Sequence, residues 1–332
     1  MGIRGLTGWI KWAAEPSIKE PNWAQWKGKK IGVDILGFLY KAKAQHYSPI
    51  LYLGRLIAAF KKYDIIPVPI FDGKPPDEKR EALKLRSELR VRSDTLKVEL
   101  KKDLDSSTLS ETQRLIAESE LRVLEQNTSY LTSDERALAK QLFYACGITA
   151  LNAAGEADNV LAYFSRREEL AAIISNDLDL LPRGVETLLV PDNYALPGDK
   201  SGWVEYNLTS ILEHAQLSYN QFVEMCVLMG CDYTASLKSF PYKAAYWAIR
   251  YRGDMCATLR HFQIQATEPY TKATEILKGI SETQESLMGE KQWEKWATPA
   301  HTVETEALAE FRKAYLADLP SNEYELLCNS VV

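Results

Sequence analysis

The sequence predicts an α/β protein: a mostly parallel central sheet with helices on both faces, a helical arch, and a C-terminal helical region. Two observations predict it. Five short apolar runs alternate with helix-length stretches as far as Val190, and from about Leu208 onward only helical patterning remains. Strands that alternate with helices form a parallel sheet covered on both faces.

The elements follow in order. Lys30–Asp34 is a short buried strand that ends in an acid. Ile50–Lys62 is a helix. Ile65–Asp72 is a second strand, also closed by an acid, although Pro67 and Pro69 weaken the assignment. Pro76–Lys102 is a long charged helix. Residues 103–132 are polar, rich in Ser, Thr, Glu and Gln, and are expected to form a mobile helical arch or long insertion rather than core. Ser133–Cys146 is a helix, Gly147–Leu151 a third strand, Glu156–Arg166 a helix, Leu170–Ser175 a fourth strand, and Thr187–Val190 a fifth.

Composition bounds the function. A chain of 332 residues with 46% hydrophobic content can bury one large or two modest cores. No window approaches a membrane-spanning length of apolar residues. The start, Met1-Gly2-Ile3-Arg4-Gly5-Leu6, lacks the apolar segment of a secretory signal and the hydroxyl of a myristoylation site. Five cysteines with no CxxC pair suggest a reducing intracellular compartment. Four histidines leave little room for His-based metal or triad chemistry. The formal net charge of −5 argues at first against a nucleic-acid partner. Its distribution says otherwise. Residues 281–332 hold ten acids and four bases, and residues 73–102 hold ten bases against six acids. That basic run is a solvated helix face unless its neighbourhood gives it work.

The acids supply that neighbourhood. Asp34, Asp72 and the Asp177/Asp179 pair close strand-like runs, Glu156 and Asp158 open a helix, and Asp232 follows the helix Phe222–Met229 and Gly230. In a parallel sheet the carboxyl ends of the strands share one edge, where ligands bind. Taken singly, each acid could be a turn former or a helix cap. Seven together repel one another by several kcal/mol unless cations neutralise them. Oxygen ligands without His or Cys select Mg²⁺ or Mn²⁺. Two such ions about 3.5–4 Å apart form a clamp for phosphodiester hydrolysis.

These residues resemble a known family. Met1–Leu6, Val33-Asp34, Ile70-Phe71-Asp72-Gly73-Lys74-Pro75-Pro76, Glu156-Ala157-Asp158, Ser175-Asn176-Asp177-Leu178-Asp179 and Gly230-Cys231-Asp232-Tyr233 look like the motifs of the structure-specific 5′-nucleases. This superfamily joins flap endonucleases, exonuclease 1 and the xeroderma pigmentosum group G nuclease. The resemblance covers roughly residues 1–250 as a catalytic domain, with an arch at about 77–132 and a helix-hairpin-helix at about 222–250; residues 251–332 would be a helical C-terminal region. It implies that Asp34, Asp72, Glu156, Asp158, Asp177, Asp179 and Asp232 hold two Mg²⁺ ions, with Mn²⁺ able to substitute. It implies that Lys79 and Arg86, seven apart and so on one helix face, hold and polarise the scissile phosphate. Tyr40 falls where the family stacks a base, although a core-facing aromatic would read the same. Gly2 falls where the chain start approaches substrate, although it could simply permit a tight entry to the first helix. Lys74, Lys84, Arg90 and Lys243 are the further DNA contacts expected. The implied partner is DNA with a 5′ single-stranded end, flap or nick, cut by a monomer in the nucleus or at a viral replication site.

The sequence departs from the family pattern in two places. Where the family has a Gly-x-Gly hairpin that holds duplex phosphates through a bound K⁺, this chain has Lys238-Ser239-Phe240-Pro241-Tyr242-Lys243. Ser and Pro do not readily supply positive φ or close backbone approach, so the departure puts the K⁺ site and the grip on duplex in doubt. The stretch between Asp72 and Glu156 is also longer than the family pattern, which predicts an enlarged or reshaped arch. Trp293 and Trp296 read as core, and Leu326–Val332 contains no aromatic-paired sliding-clamp peptide. The competing readings are a catalytically silent scaffold for protein or RNA, and an RNA-directed nuclease. Setting the seven acids aside, residues 1–280 carry 36 bases and 28 other acids, a balance that suits a phosphate backbone.

Overall fold

In a computed structural model, the described residues are 2–74, 80–105, 109–128, 131–192, 195–199, 202–234, 240–264, 267–288 and 301–330. Among them seven strands form one sheet: β1 (Ile18–Lys19), β2 (Lys30–Asp34), β3 (Ile66–Phe71), β4 (Leu151–Asn152), β5 (Ala172–Ile174), β6 (Thr187–Pro191) and β7 (Trp203–Asn207). Their order is β1-β7-β6-β5-β2-β3-β4. From β6 to β4 the neighbours run parallel, and β7 and β1 add an antiparallel edge. After β4 the chain returns to the far side of β2, so the strand order reverses between β2 and β5. In doubly wound sheets that point opens a crevice at the carboxyl ends of the strands.

The period of two divides the strand residues between two cores, one on each face. Val68, Ile70, Ile173 and Leu188 face one layer, with Trp9, Leu161, Phe164 and Phe222. Ile31, Val33, Phe71, Ala172, Ile174 and Leu189 face the other, with Phe38, Leu53, Phe60 and Phe143. The parallel α/β expectation therefore holds, with local corrections. Gly147–Leu151 is not a continuous strand: Gly147 takes a left-handed turn, φ 77°, Ile148 makes an isolated bridge, and the ladder with β3 begins at Leu151. The edge strands β1 and β7 were not expected.

Pro67 and Pro69 do not weaken β3, for a geometric reason. The Ile66 amide donates to the Lys29 carbonyl, so by alternation the Val68 and Ile70 amides face β2. The two prolines face the opposite side, where β4 pairs only with Ile70 and Phe71. No ladder bond asks them for a donor.

The helices are α1 (Leu6–Ala13), α2 (Ile35–Ala44), α3 (Pro49–Lys62), α4 (Arg80–Asp105), α5 (Glu111–Thr128), α6 (Ser133–Ala145), α7 (Ala157–Arg166), α8 (Leu208–Ala215), α9 (Tyr219–Met229), α10 (Tyr242–Arg252), α11 (Met255–His261), α12 (Glu268–Lys278), α13 (Gln284–Met288), α14 (Thr305–Tyr315) and α15 (Ser321–Cys328). The segment expected as an arch or insertion is the paired helices α4 and α5, and α5 also meets α2. Ala117 of α5 is buried, so the pair is not wholly outside the packed body. Helices α9 and α10 pack together across the predicted hairpin, of which residues 235–239, with Lys238 and Ser239, lie outside the described residues. Trp293 and Trp296 also lie outside them. No helix among the described residues is long and apolar enough to cross a membrane.

The C-terminal helices return to the sheet-bearing body: α15 packs on α3, and Leu316, Leu319 and Leu327 enter the second core. One buried cation fastens this end. Lys61 donates to the carbonyls of Cys146 and Leu327, each at 2.7 Å, and to that of Asn329. Burial lowers the Lys61 pKa, and the three carbonyls are what keep an ammonium tolerable there. Lys61→Met leaves those carbonyls without their donor and is expected to cost about 2–3 kcal/mol of unfolding free energy. Denaturant titration measures it, and an unchanged midpoint and slope contradict this role.

Candidate metal centre

The acids gather at the reversal point. Val33 of β2 pairs with Ile174 of β5, so the next residues, Asp34 and Ser175, are side by side. Asp34 occupies the N-cap position of α2 without capping it. Its Oδ2 instead accepts from Ser175 Oγ at 2.9 Å. Ser175 Oγ accepts from the Asp177 amide at 3.0 Å, and Asp177 Oδ1 accepts from the Asp179 amide at 2.9 Å. Asp179 Oδ1 in turn accepts from the Ile3 amide at 2.7 Å. A single run of hydrogen bonds therefore links the end of β2 to the start of the chain.

A second branch comes from β3 and α7. Asp72 Oδ1 accepts from the Ala157 amide in the first turn of α7, at 2.7 Å, where the helix dipole favours an anion. Glu156 stands at the N-cap of α7 but does not cap it. Its Oε2 accepts from the Tyr233 hydroxyl at 3.1 Å. The capping alternative thus describes Asp72 and Asp177, whose carboxylates do accept amides, but not Asp34 or Glu156.

Gly2 lies against the same cluster. A Cβ there would stand 2.7 Å from Asp179 Oδ1 and 3.2 Å from Asp177 Oδ1, so only glycine passes the carboxylates without displacing them. The left-handed entry to α1 falls to Gly5, φ 77°, rather than to Gly2. Close approach, not conformational freedom, accounts for Gly2.

Mutual repulsion is visible in the proton affinities. Burial, reinforced by Asp72 and Asp177, raises the Asp34 pKa to about 6 despite the Ser175 bond. Burial and the neighbouring Asp177 raise that of Asp179 to about 7, against the lowering pull of the Ile3 amide and Arg183. Asp232 adds to the repulsion on Asp179, and Asp158 acts electrostatically on Arg183. All seven acids therefore belong to one electrostatic group.

Arg183 is the residue the sequence reading missed. It is 2% exposed, donates to the Tyr233 hydroxyl at 2.6 Å and to Asn159, and stands 3.9 Å from Glu156 Oε2. Burial alone would lower its pKa, yet Tyr233, Asp158 and Glu156 hold it above the ordinary arginine value. It is a built-in counter-ion behind the carboxylates. The available signal was a lone Arg inside the apolar run Leu180–Val190. Lys41 is a second unexpected cation, its ammonium 3.4 Å from Asn176 Oδ1.

The other expected residues divide. Tyr40 packs against the second core and its hydroxyl accepts from Arg136 at 3.0 Å, which favours the core-facing alternative over an open stacking position. Lys74 is exposed two residues beyond Asp72, and Lys84 is exposed on α4. Lys79 lies outside the described residues, as do the side chains of Arg86 and Arg90 on α4. Lys243 is exposed on α10, with its ammonium 5.2 Å from the centre of the Trp12 ring.

The donors present suit a hard divalent cation: oxygen only, anionic, partly buried and short of counter-charge. Among the described residues no three Asp, Glu, His or Cys side chains are already arranged to hold one ion directly. Mg²⁺ keeps several waters and takes one or two carboxylates directly, so the donor set fits through bound water. A cavity of about 380 Å³ opens beside Glu156, Asn159 and Tyr233. A larger one, of about 990 Å³, lies between α6 and α14 and touches none of the acids.

Two expectations test this arrangement. Carboxyls with raised folded-state pKa values are protonated when the unfolded chain has already ionised. Their ionisation therefore costs stability as pH rises from about 4 to about 7, and the cost persists above. Metal-free protein should melt lower at pH 8 than at pH 5.5, and Mn²⁺ should stabilise it more at pH 8; a melting temperature indifferent to Mn²⁺ at pH 8 contradicts the centre. Separately, Arg183→Met should cost about 3–5 kcal/mol without metal, because it strands buried carboxylates. Saturating Mn²⁺ should restore more of that loss than it adds to the unaltered chain. A merely structural arginine would show equal Mn²⁺ gains in both proteins.

Residues 1–93 match the XPG N-terminal domain and residues 147–232 the XPG I-region, together more than half of the chain. It is 26% identical over 309 residues to flap endonuclease 1-A of Sorghum bicolor, covering 84% of this chain and 75% of that protein. It is 25% identical over 333 residues to flap endonuclease 1 of Glycine max, covering 90% and 79%. The catalytic core of Rad2 in complex with DNA substrate shares the fold with a TM-score of 0.68 at 18% identity, over 98% of this chain and 99% of that one. Flap endonuclease-1 from Methanococcus jannaschii does so with a TM-score of 0.63 at 19% identity, over 94% and 95%. The Holliday junction-resolving enzyme GEN1, in complex with product DNA, Mg²⁺ and Mn²⁺, gives a TM-score of 0.59 at 16% identity, over 94% and 72%. The two domain matches fall on the segments that carry Asp34, Asp72, Glu156, Asp158, Asp177, Asp179 and Asp232, and the chain belongs to the structure-specific 5′-nuclease superfamily.

Proposed function

We propose that this chain is a divalent-metal-dependent nuclease that hydrolyses DNA phosphodiesters near a 5′ single-stranded end, flap or nick. The observation that carries the reading is the seven-acid group at the sheet's reversal point, with one buried arginine behind it. Arg183 offsets a single charge. Six remain, and an idle protein would gain stability by losing them.

Asp34, Asp72, Glu156, Asp158, Asp177, Asp179 and Asp232 would hold two Mg²⁺ ions, or Mn²⁺ in their place. Such ions, when bound, supply Lewis-acid stabilisation of the departing oxygen and a more acidic attacking water. The chain's own residues do the remaining work. Ser175 fixes Asp34, the Ala157 amide fixes Asp72, and Tyr233 fixes Glu156, so the oxygens keep their directions before any ligand arrives. Asp34 and Asp179 would have to give up their protons to a bound cation, so loading would strengthen as pH rises towards about 7. Lys79 and Arg86 would clamp the scissile phosphate and stabilise the charge that develops on it. Lys74, Lys84 and Arg90 would hold neighbouring phosphates. Helices α9 and α10 would present duplex, with a K⁺ site there doubtful for want of the two glycines. The described cysteines are all free, which supports work in a reducing compartment such as a nucleus or a viral replication site.

The test is cleavage of end-labelled flap, nicked and blunt DNA in Mg²⁺ and Mn²⁺, with product lengths resolved. Cuts within a few nucleotides of the 5′ junction or end are expected. Asp177→Asn should reduce the rate by at least about 100-fold while DNA affinity changes by only a few-fold. Intact DNA on every substrate in both metals removes the nuclease reading and leaves the scaffold one. Cleavage confined to RNA strands redirects it.

A further inference from the structure

Helices α1 and α10 meet through two glycines. A Cβ on Gly5 would press on the Tyr242 ring at 3.2 Å and one on Gly8 would touch it at 3.4 Å, so the ring packs against the glycine side of α1. The contact assembles an aromatic cluster. Trp9 is fully buried in it, with Phe222 at 5.4 Å and Tyr246 at 6.3 Å between ring centres. Trp12 meets Tyr246 edge-on at 5.4 Å and Trp247 at 6.3 Å.

The cluster does not stop at the surface. Trp12, Trp247 and Tyr251 are 40%, 43% and 77% exposed. Trp247 and Tyr251, one turn apart on α10, lie nearly parallel, at 5.2 Å between centres and 20° between planes. Single exposed aromatics need no explanation, but a contiguous group of three is an interaction surface. The interior anchors Trp9 and Tyr246 keep it rigid.

Charge indicates what it takes. Helices α1 and α10 carry Lys11, Lys243, Arg250 and Arg252 and not one acid. Lys243, Trp247, Arg250 and Tyr251 fall at i, i+4, i+7 and i+8, one stripe of the helix. The Lys243 ammonium sits over Trp12. Interleaved cations and open π-faces match a polyanion that carries π-faces of its own. A duplex hides its base faces within the stack and offers only phosphates. An unpaired strand offers both. Position fits as well. Helix α1 begins beside the carboxylates, where Ile3 binds Asp179, and carries Trp12 about 9 Å of helix rise beyond Leu6. That is the span of about two or three nucleotides.

We propose that the exposed face of α1 and α10, centred on Trp247 and Tyr251 and rimmed by Lys243 and Arg250, is a stacking platform for unpaired bases of a nucleic-acid strand. It would hold the strand that leads to or from the carboxylate centre, by base stacking where the hairpin glycines are missing. The proposal rests on the nuclease reading only for the strand being DNA.

The test is binding by the full chain in Ca²⁺, without cleavage, to an oligothymidylate of about 20 nucleotides and to a blunt duplex of similar length. Trp247→Ala/Tyr251→Ala should weaken oligothymidylate binding on the order of tenfold or more and duplex binding by less than about twofold. Trp247→Phe/Tyr251→Phe, which keeps flat rings, should bind within about threefold of the unaltered chain. Both pairs are exposed, so melting curves should stay superimposable and confirm folding. Equal loss on both DNAs would overturn the platform in favour of a general phosphate grip. Unchanged oligothymidylate affinity in a folded Ala pair would overturn it outright, as would oligothymidylate-independent self-association that the Ala pair abolishes. Binding here is read apart from cleavage, so an inactive protein that still stacks the strand refutes the nuclease reading and not the platform.

Discussion

Seven carboxylates brought to one edge of one sheet set the terms for the rest of the molecule. At a few ångströms, like charges in a partly buried setting repel by amounts comparable to the stability of a whole domain. The fold holds them by three means. Amides and hydroxyls from Ile3, Ala157, Ser175 and Tyr233 give individual oxygens a donor. Arg183 gives the group a buried positive charge. Protonation of Asp34 and Asp179 near neutral pH takes up part of the remainder. Each device is partial, and the deficit that remains is what would give the proposed centre an affinity for divalent cations.

That constraint explains features that otherwise look unrelated. The first residues lie against Asp179, which accepts from the Ile3 amide, and a side chain at Gly2 would displace the carboxylates. Helix α1 then has a fixed origin, and its packing on α10 through Gly5 and Gly8 fixes the aromatic face relative to the acids. At the opposite end of the chain, Lys61 draws α15 onto α3 and so braces the helix that follows the Asp34 strand and its own helix α2. Local order at the centre and long-range closure of the chain are therefore parts of one problem.

Much of this was legible in the residues. Lys30–Asp34 is a strand with the bounds its apolar run suggests, because a strand buried on both faces must be apolar throughout. Asp34, Asp177 and Asp179 converge because strand ends in a parallel sheet must. The misses have physical causes. β1 has two residues, too few for any period to show. Trp203-Val204-Glu205-Tyr206-Asn207 is an antiparallel edge strand that mixes buried and half-exposed positions, so it lacks the continuous apolar run of its neighbours. Pro67 and Pro69 looked like breakers because sequence does not say which side of a strand has a partner. Arg183 looked like an ordinary charge because burial is a property of the assembled fold, and Tyr40 was ambiguous for the same reason. The aromatic face was present in the spacing of Lys243, Trp247 and Tyr251, but only α1 shows which rings remain open.

The claim on which the account turns is that this acid group exists to hold two neighbouring divalent ions. Electron paramagnetic resonance during a Mn²⁺ titration of the metal-free chain at pH 8 tests it most directly. Two ions per chain with an exchange-coupled signal are expected, as for ions about 3.5–4 Å apart, with loss of the coupled signal in Asp177→Asn. Mn²⁺ that stays free in solution, or binds only as isolated and uncoupled ions, would contradict it.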